Sequence, residues 1–173
     1  MKSTLFIYSS TDGQTKTIIS RMKSFLSNDI DSMLMPIAEV SGQDIAKFDR
    51  IIIGASIRYG KHKKELYEFI DLHLDELAKK DNAFFSVNVV ARKPEKNTPN
   101  TNPYMKKFLL QTSWEPKNLA VFAGKIDYPK YNFIDKQMIR LIMWITKGPT
   151  NTSGTYEFTD WDKVDSFAKN VIK

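Results

Sequence analysis

Ile51-Ile52-Ile53 narrows the fold more than any other stretch of this chain. Three consecutive β-branched residues offer water no polar face, so a strand built from them is covered on both sides. Such strands belong to parallel sheets flanked by helices. Around the run, apolar strand-like segments alternate with segments of helical period. A strand is expected over about 4–9, then a helix from Gln14 to about Ser27 with Ile18, Ile19, Met22, Phe25 and Leu26 inward. A strand from Ser32 to Met35 ends at Pro36, and 41–48 suits a short helix capped by Ser41. The isoleucine strand is read as ending in Gly54-Ala55-Ser56-Ile57-Arg58-Tyr59-Gly60. An amphipathic helix over about 62–79 follows, burying Leu66, Phe69, Ile70, Leu74 and Leu77. Further on come a strand over 83–90, a polar loop from Arg92 to Asn102, and a helix to about Gln111 with Asn102 as cap and Pro103 in its first turn. A fifth strand over about 119–124, an extended piece over 154–159 and a helix opened by Asp160 or Trp161 complete the chain. The expectation is α/β: one domain over residues 1–173, with a doubly wound five-stranded parallel sheet in the order 2-1-3-4-5.

Sheets of this kind bind ligands beyond the carboxyl ends of their strands, which groups the loops 9–15, 55–60 and 86–92. The first reads Ser9-Ser10-Thr11-Asp12-Gly13-Gln14-Thr15. Its hydroxyls, backbone N–H groups and following helix N-terminus suit a phosphate, although the same residue types are ordinary helix caps. One loop would hold a phosphate and two would flank a flat ring, the arrangement of a flavodoxin-type FMN site.

A formal charge of +6 favours anionic partners. No zinc-finger spacing or aromatic RNA-binding signature accompanies it, so nucleic acid is not expected. Without cysteine there is no disulfide framework, thiolate ligand or cysteine nucleophile. The apolar run after Lys2 is too short for a signal peptide and contains Ser3 and Thr4, so the cytoplasm is the expected compartment. His62 and His73, the only histidines, stand among charged residues and are read as surface groups; no metal site is expected.

Residues 129–148 form an insert in the fifth-strand region. Ile134, Met138, Leu141, Ile142 and Ile145 make a helical stripe, but Ile139, Met143 and Trp144 fall outside it. Such a helix is apolar around most of its circumference and needs cover on more than one side. Lys130, Lys136, Arg140 and Lys147 against Asp135 leave it basic. Two accounts stand side by side: a helix packed on a large surface of its own domain, or a platform for an apolar anionic ligand or a membrane surface. Its apolar run, split by Arg140, falls far below the ~20 residues that span a bilayer.

Several motifs resemble one family across nearly the whole chain: Asp12-Gly13-Gln14-Thr15, the run from Ile53 to Gly60, Ser86-Val87-Asn88, and Ala91-Arg92-Lys93-Pro94-Glu95-Lys96. Tyr128-Pro129-Lys130-Tyr131, Met138-Ile139, Leu141-Ile142-Met143 and Thr159-Asp160-Trp161 continue the match, with Phe158 where the family can carry tyrosine. The chain resembles the flavodoxin-like, quinone-dependent protoporphyrinogen oxidases of bacteria. The resemblance implies FMN, oxidation of protoporphyrinogen IX to protoporphyrin IX in haem biosynthesis, and a respiratory quinone, menaquinone or ubiquinone, as electron acceptor. It implies an oxidoreductase acting on CH–CH bonds, peripheral contact with the cytoplasmic face of the inner membrane, and leaves a homo-oligomer open. Asp12 stands where flavodoxins at large carry Thr; the oxidases share the Asp, which is expected to turn outward and cap the loop's own N–H groups.

On this reading Ser10, Thr11, Asp12, Gly13, Gln14 and Thr15 surround the cofactor phosphate. Ala55, Ser56, Ile57, Arg58, Tyr59 and Gly60 border one face of the ring, and Ser86, Val87, Asn88 and Val89 the other. Arg58, Arg92, Lys93, Lys130 and Arg140 are candidates for substrate propionates, and Trp144, Met138 and Met143 for apolar contact with substrate, quinone or lipid. No catalytic side chain is singled out, because the flavin is the hydride acceptor. The alternative reading is a flavodoxin-like quinone reductase or electron-transfer flavoprotein that leaves porphyrinogen untouched.

Overall fold

The computed structural model describes residues 2–173. Its elements are β1 (Thr4–Ser9), α1 (Gln14–Lys23), β2 (Ser32–Pro36), α2 (Gly42–Lys47), β3 (Arg50–Arg58), β4 (Lys61–His62), α3 (Lys64–Leu72) and α4 (Leu74–Lys79). The second half contributes β5 (Asp81–Val87), α5 (Pro103–Gln111), β6 (Leu119–Phe122), β7 (Lys125–Asp127), α6 (Phe133–Ile145), β8 (Thr155–Glu157) and α7 (Trp161–Ile172). Five strands pair in parallel in the order β2-β1-β3-β5-β6, the doubly wound order expected once the hairpin strand β4 is set aside.

The alternation of side chains along each strand divides the core in two. Leu5, Ile7, Ile51, Ile53, Phe84 and Val121 point to the face covered by α2, α3, α4 and α5. Phe6, Ile52, Phe85 and Phe122 point to the face covered by α1 and α7. Ile51-Ile52-Ile53 lies beside Leu5-Phe6-Ile7 in register and is fully buried, so its lack of a polar face has its physical cause in this double cover. Gly54 follows because Phe85 lies across it: a Cβ there would meet the ring at 2.2 Å.

Four boundaries differ from expectation. β3 continues through Ile57 and Arg58, and the chain returns as β4, with Arg58 opposite Lys61. Tyr59 and Gly60 both have positive φ (53° and 75°), the geometry that two-residue hairpin turns require. The helix expected over 62–79 breaks at His73 (φ −115°, ψ 16°), whose ring lies 4.8 Å from that of Phe69. β5 stops at Val87 because the Asn88 side chain accepts the Ala91 N–H and starts a single tight turn. α1 ends at Lys23, where the Ser24 hydroxyl turns back to the Arg21 carbonyl at 2.6 Å.

His62 is buried, contrary to the surface position expected, and His73 is half-buried. Strand geometry turns His62 inward while its neighbours Lys61 and Lys63 stay exposed. Its ring meets Phe84 and Phe108 edge-on and its Nε2 lies 2.9 Å from the Ser86 hydroxyl. Burial, with a smaller contribution from Lys107, lowers its pKa to about 4. The unfolded imidazole titrates near 6.5, so the unfolded chain takes up the proton first. Stability from the neutral ring is therefore complete above about pH 6.5 and falls by about 3 kcal/mol as the pH drops to 4. Denaturation midpoints between pH 7 and 4 should show this decline, and His62→Gln should flatten it; equal slopes in both proteins would refute the assignment.

Candidate functional site

A pocket opens at the carboxyl edge of the sheet, where the β1–α1 loop, the β3–β4 hairpin and the end of β5 meet. Ser10, Asp12, Gln14 and Thr15 line it from the first loop, Ser56 through Gly60 from the hairpin, and Val87, Asn88 and Val89 from β5. Four residues expected at the cofactor lie off the lining. Thr11 and Gly13 face solvent, Ala55 is buried in the sheet, and Ser86 turns to His62 behind the pocket wall.

Gly13 adopts φ 89°, and its N–H donates to the Ser10 hydroxyl at 2.9 Å, folding the loop back on itself. No side chain caps α1, so the positive end of the helix is left for a ligand at this corner. Thr15 and Ser56 line the pocket, and their buried hydroxyls have no hydrogen-bond partner among the described residues. Buried polar atoms of native proteins are ordinarily paired, so these two fit a polar, anionic ligand group that completes them. Gln14 serves a different purpose: its Nε2 donates to Glu157 at 3.1 Å and Thr159 at 2.9 Å, tying the loop to β8 and the segment after it. Asp12 does not cap the loop, as the sequence suggested, but pairs with Arg58 across the pocket mouth. A guanidinium within reach offers it a stronger bond than a neutral amide does.

The flat walls come from Ile57, Tyr59 and Val89, with Tyr59 held half-exposed by its strained turn position. Behind them Asn88 is an organiser. Its side chain joins Ser86, Asn102 and the Ala91 N–H in a buried polar network that sets the course of the chain after β5.

On the fourth side the insert takes part, as one reading of the sequence expected, together with residues that it did not single out. Gly124, Lys125 and Ile126 follow β6, Tyr104 reaches in from α5, and Tyr131, Ile139, Ile142 and Met143 come from the insert. The rule that groups loops at carboxyl ends also covers the one after the fifth strand, and would have found the first three. The face that α6 buries could not be read so directly. Met143 is buried and Ile139 and Ile142 half-buried, whereas Phe133, Ile134, Met138, Leu141, Trp144 and Ile145 are exposed, Phe133, Ile134 and Trp144 by more than 70%. Of the stripe Ile134, Met138, Leu141, Ile142 and Ile145 only Ile142 turns inward, because a helix apolar on both sides gives periodicity no means of choosing.

Arg92 fastens the far end of α6. It donates to the Val89 carbonyl at 3.0 Å and to the Thr146 carbonyl at 2.9 Å, placing a cation at the negative end of the helix. Burial lowers its pKa from the usual arginine range, and Gly148 packs so closely that a Cβ would lie 2.5 Å from the Met143 sulfur. Of the residues suggested for substrate or membrane, Arg58 and Met143 line the pocket, and Arg58 and Arg92 are bonded within the protein. Lys130 is exposed and paired with Asp127 at 3.3 Å, Lys93 is half-buried, and Arg140 and Trp144 are exposed on α6.

The partnerless Thr15 hydroxyl gives a test. Thr15→Val should leave the ligand-free chain as stable as before or up to about 1 kcal/mol more stable, since it removes an unsatisfied buried group. The same change should weaken binding of FMN, the cofactor that the resemblance implies. Thermal melts and flavin titration separate the two, and a large loss of ligand-free stability would contradict the geometry.

Residues 5–153 match the family model described as a flavodoxin domain. The protein of Escherichia coli (strain K12) named protoporphyrinogen IX dehydrogenase (quinone) is 41% identical over 169 residues, covering 97% of this chain and 93% of its own. Among solved structures, a flavodoxin of Streptococcus pneumonia TIGR4 has a TM-score of 0.54 at 13% identity, over 98% of this chain and 97% of that one. A flavoprotein of Lactobacillus acidophilus NCFM in complex with FMN has a TM-score of 0.51 at 17% identity, over 70% and 93%. The chain belongs to the flavodoxin-domain family and to the family of the quinone-linked protoporphyrinogen IX dehydrogenases.

Proposed function

We propose that this protein binds FMN in the pocket, oxidises protoporphyrinogen IX to protoporphyrin IX and passes the electrons to a respiratory quinone. The observation that carries the reading is the composition of the pocket. A hydroxyl- and amide-lined corner suited to a phosphate adjoins apolar walls, and the insert helix supplies one of them. The 41% identity across 97% of the chain supports the reaction class.

Protoporphyrinogen is a flexible macrocycle with two propionates, and its conversion to the conjugated porphyrin removes six electrons and six protons. Three quinones would take them up as three quinols. FMN, when bound, supplies the hydride acceptor, two electrons at a time. The protein's own work is binding, orientation and exclusion of water. Ser10, Thr15, Ser56 and the α1 N-terminus would hold the phosphate end. Ile57, Tyr59 and Val89 would flank the ring, while Ile139, Ile142 and Met143 form a dry wall against which the macrocycle can lie. Lys93, Lys130 and Arg140 remain the candidates for propionates; Arg92 is a fastening of α6 and is withdrawn from that role.

The outer face of α6 extends the proposal. Six large apolar side chains are exposed on one helix, with Arg140 on the helix and Lys130 and Lys147 at its ends. That composition fits a helix lying in the interface of an anionic bilayer, where a lipid-soluble quinone is at hand. No described helix is long and apolar enough to cross a membrane, so contact would be peripheral, on the cytoplasmic face of the inner membrane.

Anaerobic protein loaded with FMN and given protoporphyrinogen IX and a menaquinone analogue should generate porphyrin fluorescence above a no-protein control. Flavin-loaded, folded protein without that rise would sink the oxidase reading. Leu141→Glu with Trp144→Glu should reduce sedimentation with anionic vesicles several-fold while FMN still binds; unchanged sedimentation would remove α6 from the membrane.

A further inference from the structure

Asp12 is an unexpected member of an anion-binding loop. It lies one residue before the Gly13 cap of α1 and lines the pocket, where an incoming phosphate would meet a second negative charge. Its carboxylate is paired with Arg58, whose side chain is only 15% exposed. The same guanidinium directs Nη1 towards Asp135 Oδ2, 3.8 Å away in the first turn of α6. Its centre also lies 5.2 Å from the Tyr131 ring and 5.9 Å from the Tyr59 ring. One cation therefore joins three elements: the β1–α1 loop, the β3–β4 hairpin and the insert.

We infer that Arg58 is a positioning residue with two roles: it neutralises Asp12 so that the loop can accept a phosphate, and it ties the first turn of α6 to that loop. The inference rests on the reading of the pocket as an FMN site. With Arg58 removed, Asp12 faces the phosphate dianion unbalanced. With Asp12 also removed, the repulsion disappears and the affinity returns. Because Asp135 shares the guanidinium, a change at the loop reaches the helix that walls the pocket. Cofactor loading and the docking of α6 are thereby linked, each able to influence the other.

The test is FMN titration of the full chain by fluorescence quenching, for the native protein, Asp12→Asn, Arg58→Gln and the double variant, with circular dichroism as a check on folding. Arg58→Gln should weaken FMN about tenfold, a loss that falls with added salt. Asp12→Asn should bind at least as tightly as the native chain, and the double variant should recover most of the loss. Hydrogen exchange of residues 131–138 should quicken in Arg58→Gln and in Asp135→Asn. Arg58→Lys, which keeps the charge without the fork, should retain most of the FMN affinity and still show the faster exchange. An equal loss in Arg58→Gln and the double variant would mean that Arg58 meets the phosphate itself and would overturn the neutralising role. Weaker binding by Asp12→Asn would do the same, and unchanged exchange would overturn the tie to α6. A native chain that binds no FMN would refute the site reading, whereas a flavin-loaded chain whose double variant stays as weak as Arg58→Gln would refute this inference alone.

Discussion

Everything at the pocket depends on β3 being paired on both edges and covered on both faces. Its ladder to β1 and β5 satisfies the backbone, and the two helical layers take the water away from Ile51, Ile52 and Ile53. A strand so constrained can project its end beyond the sheet without losing its course. That projection becomes the Ile57–His62 hairpin, which carries Ile57, Arg58 and Tyr59 into the pocket and His62 into the core beneath it. This wall of the site is a strand end rather than a free loop, and its positioning comes from the sheet.

The insert adds what a plain doubly wound domain lacks. Arg92 and Gly148 hold the carboxyl end of α6, Tyr128 donates to the Pro149 carbonyl at 2.6 Å, and Arg58 reaches the amino end. The helix thus presents one apolar face to the pocket and leaves the other uncovered. A buried face fixed by polar ties at both ends is a durable arrangement, because each tie satisfies a carbonyl or carboxylate that would otherwise be stranded.

Much of the fold was legible in the sequence because its signals are local. Strand alternation, the Ser41 and Asn102 caps and the turn between β1 and α1 depend on neighbours within a few residues, and each stands where the pattern put it. The misreadings are long-range. His62 looked like a surface residue beside its charged neighbours, yet it packs against Phe84 and Phe108, 22 and 46 positions away along the sequence. Ser86 looked like a ligand residue but is the partner of that histidine. The end of β3 was misplaced because glycine and serine read as a loop, whereas Gly54 is there for the Phe85 ring.

The sequence by itself determined the class of sheet, the order of its elements and the loops that converge on one edge, since hydrophobic period and turn chemistry are properties of short segments. Only the tertiary structure decided which side of α6 is buried, that Arg92 fastens the insert, and that Asp12 and Arg58 neutralise each other across 46 residues of chain. Those outcomes depend on which charges and apolar faces meet after the chain has folded, and no periodicity along the chain encodes that meeting.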